Sequence, residues 1–141
     1  MSAGMIAVID DNESWIEAVK DVLANEGFEV CSATNEDQAI EILDTVRPQL
    51  IILDVHIPGA RGLRLISDFR GRDRTTPILV VSSDDRSLVR NQAMSNGASG
   101  FLQKPIPSQI LLRAVRRYVQ PGSGEQGDSL SPCSRLNPSV N

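Results

Sequence analysis

Five polar residues at the ends of predicted strands are the chemically most informative feature of this 141-residue sequence. Asp10 and Asp11 follow one apolar run, Asp54 ends a second, Ser82 ends a third, and Lys104 closes a more polar segment. Three carboxylates that converge without a cation repel one another and raise each other's pKa values. Mg²⁺ removes that repulsion and suits a site with few carboxylates, a carbonyl and several waters. These residue types therefore predict a cation site, provided that the fold brings them together.

Charge is distributed unevenly along the chain. Residues 1–59 carry twelve acidic and two basic side chains, whereas residues 60–141 carry six acidic and twelve basic ones, for a net charge of −4. An acidic segment usually reflects solvated helix faces, but it also fits a site built for a cation. The turn after the first apolar run has two aspartates instead of the glycines of a phosphate loop, so it should attract cations. The overall charge gives no support for direct nucleic-acid binding.

Several classes of protein are not expected. No apolar stretch approaches the roughly 20 residues of a membrane helix, and residues 1–5 lack the features of a signal peptide. Cys31 and Cys133 have no metal-ligand spacing, and Cys133 lies in a polar tail. A disulfide framework is therefore not expected, and a reducing, cytoplasmic location fits better.

Strand-like and helix-like segments alternate over the first 120 residues. The predicted strands span 5–10, 28–33, 49–54, 77–82 and 99–104. Each is followed by a segment with helical periodicity, which predicts five βα units and a parallel sheet covered by helices on both sides. The first, third and fourth strands are continuously apolar and belong in the middle, whereas the second and fifth suit the edges. The expected fold is therefore a doubly wound, flavodoxin-like α/β sheet of order 2-1-3-4-5, with a ligand crevice at the carboxyl ends of the first and third strands.

Local signals refine these elements. Thr34 or Asn35 is expected to cap the second helix, whose buried stripe is predicted at Ile40, Leu43 and Val46. The fourth helix is predicted over 85–96. The fifth is expected to start at Pro107. Its predicted inward face comprises Ile110, Leu111, Ala114, Val115 and Tyr118.

Residues 121–141 are rich in Gly, Ser and Pro, which predicts a folded domain over 1–120 and a disordered tail or linker after it.

The predicted crevice residues resemble a known family, the receiver domain of bacterial two-component response regulators. The resemblance covers about residues 5–120. It rests on Asp10-Asp11, on Asp54 with the following Val55-His56-Ile57-Pro58-Gly59 and Gly62, on Ser82, on Gly97-Ala98-Ser99-Gly100-Phe101-Leu102, and on Lys104-Pro105. Each element alone is common, but five of them in this order form a specific signal.

The resemblance implies a role for each matching residue. Asp54 would accept a phosphoryl group from the phosphohistidine of a sensor histidine kinase or a histidine phosphotransfer protein, forming an acyl phosphate. Asp11, Asp54 and the backbone carbonyl of His56 would hold Mg²⁺ or Mn²⁺, and Asp10 would assist directly or through water. Lys104 would neutralise charge on the phosphoryl oxygens. The chain would catalyse its own phosphorylation and dephosphorylation but no independent turnover reaction.

The resemblance also implies a switch. Ser82 would donate its hydroxyl to a phosphoryl oxygen, and its inward movement would free space for the ring of Phe101. This movement would change the surface formed by the fourth helix, fifth strand and fifth helix, which is a candidate docking or homodimer surface. His56, Ser83 and Asp84 depart from the family's frequent residues at positions that modulate the lifetime of the phosphoryl group, and Phe101 replaces a frequent Tyr.

Other interpretations stay open at this point. Asp10 and Asp11 could cap the first helix, His56 could be a solvent-facing loop residue, and Trp15 could serve only in packing or report metal binding by fluorescence. Five arginines of the last two helices could form a solvated basic face; they are Arg86, Arg90, Arg113, Arg116 and Arg117.

Two rival functions are also considered. One is an aspartyl-phosphate phosphohydrolase of the haloacid-dehalogenase type, which needs a second Asp where His56 stands. The other is a pseudo-receiver that keeps the fold without the chemistry. The sequence names neither the cognate kinase nor the output, and no helix-turn-helix pattern follows residue 120, so no direct DNA contact is expected.

Overall fold

The computed structural model describes residues 4–56, 62–84 and 86–119, which form five strands and five helices in alternation. The strands are β1 (Met5–Ile9), β2 (Glu29–Ala33), β3 (Leu50–Asp54), β4 (Ile78–Ser82) and β5 (Gly100–Gln103). The helices are α1 (Glu13–Asn25), α2 (Glu36–Thr45), α3 (Gly62–Arg72), α4 (Ser87–Ser95) and α5 (Ser108–Tyr118). Pro58, Gly59, Asp85 and the predicted tail over 121–141 lie outside the described residues.

The sheet is parallel and has the order β2-β1-β3-β4-β5, which confirms the predicted topology. Every residue of β3 and β4 is buried, and so are four of the five residues of β1, whereas β2 and β5 are only partly covered. Continuous apolar strands can be buried on both faces, so they occupy the centre and the more polar strands the edges. Within the described ranges, no helix combines the length and apolar character needed to cross a bilayer.

Two apolar layers flank the sheet. On one face, alternate residues of β1, β3 and β4 pack with α1 and α5. On the other face, the intervening residues pack with α2, α3 and α4. This division follows from the right-handed crossovers of βα units, whose direction reverses where the chain passes from β2 to β3.

The element boundaries differ from the sequence predictions by one or two residues. Pro107 is the N-cap of α5 with an extended backbone, and the helix begins at Ser108, so the expectation that Pro107 starts the helix is wrong. Lys104 lies just beyond β5, which ends at Gln103. The buried face of α5 is narrower than predicted, because Leu111 and Val115 are buried but Ile110 is 39% exposed.

The second helix is capped by Asn35, which settles the choice between Thr34 and Asn35. The Asn35 Oδ1 accepts a hydrogen bond from the Gln38 N–H at 2.9 Å, and the Gln38 Oε1 accepts one from the Thr34 N–H at 2.9 Å. The buried stripe of α2 is centred on Ala39 and Ile42, with Ile40 partly buried beside it. The prediction is confirmed at Val46, which is buried, whereas Ile40 and Leu43 pack against the core but are only partly buried.

Replacing Asn35 by alanine should destabilise the domain by about 1 kcal/mol, because the Gln38 N–H loses its acceptor at the helix end. For a domain of this size the melting temperature should fall by roughly 4 °C. Urea unfolding monitored by circular dichroism measures the loss. The control is Asn35→Asp, which keeps an acceptor oxygen and favours the helix dipole. Equal unfolding midpoints for the alanine and aspartate variants would contradict this prediction.

Candidate functional site

The site lies at the carboxyl edge of the sheet, where the strand order reverses between β1 and β3. Asp10 directly follows β1, Asp54 ends β3, Ser82 ends β4 and Lys104 directly follows β5. Because all strands are parallel, their carboxyl ends meet at this one edge, which is where doubly wound sheets bind ligands. The structure therefore brings together the residues that the sequence selected.

Lys104 joins two buried carboxylates. Its Nζ donates to Asp10 Oδ2 at 2.5 Å and to Asp54 Oδ2 at 3.0 Å. The Asp10 side chain is fully buried, and those of Asp54 and Lys104 are 10% and 15% exposed. A buried charge without a partner is costly, so each of these groups depends on the others for a compensating charge.

Local backbone geometry fixes both carboxylates. Asp10 Oδ1 accepts from the Asn12 N–H at 2.9 Å, and Asp54 Oδ1 accepts from the His56 N–H at 2.8 Å. Each aspartate thus closes a short turn at the end of its strand, which leaves its second oxygen directed to Lys104. The Lys104 N–H in turn donates to the Ser82 carbonyl at 2.8 Å, which fixes the lysine backbone beside β4.

The pKa values of Asp10 and Lys104 are both raised. Burial raises the pKa of Asp10, and the neighbouring Asp54 carboxylate adds to this effect, against the lowering effect of the hydrogen bonds from Lys104 and Asn12. Burial alone would lower the pKa of Lys104, but the hydrogen bonds to Asp10 and Asp54 raise it overall. The site therefore keeps a cationic lysine and holds more negative charge than one lysine neutralises.

Asp11 adds a third carboxylate to the pair formed by Asp10 and Asp54. One oxygen from each of the three lies within 4.8 Å of the others, and Asp11 is exposed whereas the other two are buried. Three hard oxygen donors with one solvent-facing side match the ligand preference of Mg²⁺, which keeps several waters when bound to protein. The donor set therefore fits the ion that the sequence predicted.

Ser82 is fully buried at the end of β4, and its hydroxyl oxygen accepts from the Asp84 N–H at 3.0 Å. This bond uses a lone pair and leaves the hydroxyl proton for another acceptor. Ser83 is exposed and lines a groove with Trp15 and Lys104.

His56 and Asp84 approach each other across the mouth of the site. The His56 Nε2 lies 3.8 Å from Asp84 Oδ2, and the His56 side chain is 57% exposed, as expected for a solvent-facing loop residue. Asp84 is engaged by Arg86, whose Nε lies 2.9 Å from Oδ1 and 3.1 Å from Oδ2. The hydrogen bonds from Arg86 lower the pKa of Asp84 to about 2. Asp84 is therefore ionised at neutral pH and held to the start of α4.

Phe101 of β5 is partly buried against the layer that includes α4. The guanidinium carbon of Arg90 lies 5.7 Å from the centre of its ring, within cation–π range. The predicted switch residue is thus in contact with the helix whose position it is expected to influence.

The basic residues of the last two helices do not form one uniform face. Arg86 pairs with Asp84, Arg90 contacts Phe101, and Arg116 pairs with Glu26 at the end of α1. Arg113 and Arg117 are exposed on α5.

Two contacts were missed by reasoning from the sequence. The Lys104 Nζ lies 4.2 Å from the centre of the Trp15 ring, although the sequence suggested packing as the simplest role for Trp15. Arg86 was assigned to a solvated basic face or to a docking or dimer surface, and its bidentate contact with Asp84 was not foreseen. The available signals were the position of Trp15 one turn beyond Asp11 and the opposite charges of Asp84 and Arg86 two residues apart.

Comparisons with known proteins agree with this arrangement. A family model described as "Response regulator receiver domain" matches residues 6–116. The chain is 33% identical over 121 residues to the transcriptional regulatory protein DegU of Brevibacillus brevis, covering 84% of this chain and 51% of DegU. It is 31% identical over 140 residues to the response regulator protein FleR of Pseudomonas aeruginosa, covering 94% of this chain and 29% of FleR. It thus spans about half of one curated relative and less than a third of the other.

A solved response regulator structure is also similar to this chain. The chemotaxis response regulator CheY4 of Vibrio cholerae superposes with a TM-score of 0.77 at 26% identity. The match covers 84% of this chain and 99% of that one.

Replacing Asp10 by asparagine should stabilise the metal-free protein at neutral pH. Because the pKa of Asp10 is raised on folding, its ionised form costs stability above the folded pKa, and this cost disappears below the unfolded value of 3.8, where both states are protonated. The advantage of Asp10→Asn should therefore be largest at neutral pH and shrink as the pH approaches 4.

Urea unfolding with a chelator between pH 4 and 8 measures this difference. Asp21→Asn on the exposed face of α1 is the control, since it changes the net charge equally outside the cluster. A lower midpoint for Asp10→Asn than for the unmodified protein at pH 7 would show that the contacts of the Asp10 carboxylate outweigh the cost of burying it.

Proposed function

The chain belongs to the response regulator receiver domain family, and from this premise we propose that it accepts a phosphoryl group on Asp54 in a Mg²⁺-dependent reaction. The donor is the phosphohistidine of a sensor histidine kinase or a histidine phosphotransfer protein. The observation that carries this proposal is the Lys104 ammonium group within hydrogen-bond distance of both Asp10 and Asp54, beside a third carboxylate from Asp11.

Asp54 acts as the nucleophile. One carboxylate oxygen attacks phosphorus, the phosphorus–nitrogen bond to the donor imidazole breaks with its electron pair on nitrogen, and an acyl phosphate forms on Asp54. The His56 N–H holds Oδ1 and Lys104 holds Oδ2, so the carboxylate is fixed in rotation before the donor arrives. Such pre-orientation lowers the entropic part of the barrier.

Asp11, Asp54 and the backbone carbonyl of His56 would hold the ion, with Asp10 contributing directly or through water. Mg²⁺, or Mn²⁺ in its place, would neutralise charge on the phosphoryl oxygens when bound there. Lys104 supplies a second positive charge from the β5 side, and Ser82 can donate its free hydroxyl proton to a phosphoryl oxygen.

Ser82 and Phe101 would transmit phosphorylation of Asp54 to the surface of the domain. A Ser82 hydroxyl drawn towards the phosphoryl group moves the end of β4, and the ring of Phe101 turns into the space that becomes free. Since Phe101 contacts Arg90, this rotation changes the α4–β5–α5 surface. That surface is the proposed site for a downstream partner or for a homodimer.

The cellular location, nucleic-acid contacts and enzymatic activity of the protein are also proposals. We place it in the cytoplasm, without direct nucleic-acid contact by the described domain and without enzymatic turnover beyond its own phosphorylation and dephosphorylation. The domain boundary near residue 120 and the tail or linker at 121–141 remain predictions. An output region outside this chain is compatible with the comparisons, because the chain spans only part of its curated relatives.

Phosphorylation of Asp54 can be measured directly. Incubation with acetyl phosphate and Mg²⁺ should add one phosphoryl group to the intact mass. Asp54→Asn or a chelator should abolish the addition, because the nucleophile or the cation site is then lost. The matched control is Asp44→Asn in the last turn of α2, where Asp44 pairs with Arg72 instead of the site residues.

Other outcomes identify the rival functions. A protein that gains no mass with any donor and does not bind beryllofluoride is a pseudo-receiver. Steady turnover of an unrelated phosphomonoester would indicate a hydrolase. An adduct that persists in Asp54→Asn would place the acceptor elsewhere.

The lifetime of the phosphoryl group should depend on the pair formed by Asp84 and Arg86. In the structure Arg86 occupies both Asp84 oxygens, so the carboxylate is not free to orient an attacking water. Arg86→Ala should release the carboxylate and shorten the half-life of the Asp54 phosphate about two- to tenfold, less than the roughly 10²–10⁴-fold that a fully positioned general base contributes.

The decay of the phosphorylated protein after removal of acetyl phosphate measures this half-life. Arg113→Ala, which removes an exposed arginine of α5, is the control. The double variant Asp84→Asn with Arg86→Ala should lose the acceleration. If Arg86→Ala decays at the same rate as the unmodified protein, Asp84 does not act on the water; His56 and Ser83 would then remain as the lifetime-modulating residues.

A further inference from the structure

We propose that Trp15 is a positioning residue for Lys104 and holds its ammonium group in place during phosphoryl transfer. The inference rests on the proposed function, because it concerns the same reaction. It is carried by the contact between the Lys104 Nζ and the Trp15 ring, whose centre lies 4.2 Å away. This distance is well within the range in which the negative face of an indole attracts a cation.

The ammonium group has three N–H bonds and, among the residues that the structure describes, three neighbours. Two neighbours are carboxylate oxygens, Asp10 Oδ2 and Asp54 Oδ2, and the third is the aromatic face of Trp15. Lysine has a flexible four-carbon stem, so two contacts alone leave the ammonium group free to pivot. The ring restricts this movement from the side of α1.

The contact with Trp15 can persist through the reaction. When Asp54 accepts a phosphoryl group, Lys104 must turn from the carboxylate to the phosphoryl oxygens, so this anionic partner changes. The indole neither titrates nor accepts the phosphoryl group. It therefore offers the ammonium group a fixed point of attraction before and after transfer. The lysine side chain is only 15% exposed, which strengthens the attraction because little water competes.

Trp15 is itself held by the site. The Asp10 Oδ1 accepts from the Asn12 backbone N–H, the Asn12 Oδ1 accepts from the Trp15 backbone N–H at 3.0 Å, and the Trp15 ring contacts Lys104. Lys104 donates back to Asp10, so the four residues form a closed ring of contacts. The N-cap that starts α1 thus also fixes the backbone from which the indole reaches the lysine.

The effect on transfer is tested with Trp15→Leu and Trp15→Phe in the full chain. Leucine keeps apolar volume but has no aromatic face, whereas phenylalanine keeps the face. With acetyl phosphate and saturating Mg²⁺, Trp15→Leu should be phosphorylated about fivefold more slowly, equivalent to about 1 kcal/mol. Trp15→Phe should restore the rate to within about twofold, as expected from the similar attraction of a benzene ring.

Two controls separate positioning from stability. Val22→Ala removes apolar volume from the same groove between α1 and the β5–α5 connection, and it should leave the phosphorylation rate unchanged. Urea unfolding of each variant identifies any loss of folded protein. Equal rates for the unmodified protein and Trp15→Leu would overturn the proposal. So would equal losses in Trp15→Leu and Trp15→Phe.

A spectroscopic measurement distinguishes failure of this proposal from failure of the proposed function. Protons on the last carbon of Lys104 lie near the indole face, so their resonances should be shifted upfield by the ring current in the unmodified protein. They should return to ordinary values in Trp15→Leu. Ordinary values in the unmodified protein would overturn the contact itself. A shifted resonance in a chain that accepts no phosphoryl group would overturn the proposed function, and the positioning role with it, while the contact would stand.

Discussion

The site depends on a single ammonium group placed between two buried carboxylates. Lys104 contacts Asp10 and Asp54 at once, and both aspartates stand at the ends of central strands, where they are almost wholly shielded from water. Burying such charges is unfavourable unless they are paired, so the lysine and the sheet edge must be arranged together. One positive charge does not balance the three nearby carboxylates, and the proposed divalent cation would offset this deficit.

The two ends of α4 are held differently, and this difference matters for a switch. At the end next to the site, Arg86 and Asp84 form an ion pair near the surface. At the far end, the Asn96 side chain donates to the Leu63 carbonyl at 2.7 Å, and the Arg70 Nε donates to the Gly97 carbonyl at 2.9 Å. Exposed ion pairs contribute little to stability, whereas partly buried hydrogen bonds contribute more. Displacement of α4 should therefore cost less at the end next to Asp54, the proposed phosphoryl acceptor.

Much of the architecture could be predicted from the sequence because the pattern of apolar residues indicates which strands are buried. The fully apolar segments that became β3 and β4 identified the centre of the sheet, and the acids and the lysine that follow the strands identified its functional edge. Prediction was less successful at boundaries. Pro107 became an N-cap and Ile110 remained exposed, because the orientation of a short helix depends on what it packs against.

Strand order and the residue types at the strand ends could be inferred from the sequence, since periodicity and short apolar runs are local properties of the chain. How those residues contact one another depends on the packing of the elements. The indole of Trp15 lies over Lys104, a contact that nothing in their spacing along the chain required. The physical reason is that Trp15 lies on α1 near the start of the chain, whereas Lys104 follows β5 much further along it. Their separation is set by the packing of α1 and α5 on one face of the sheet.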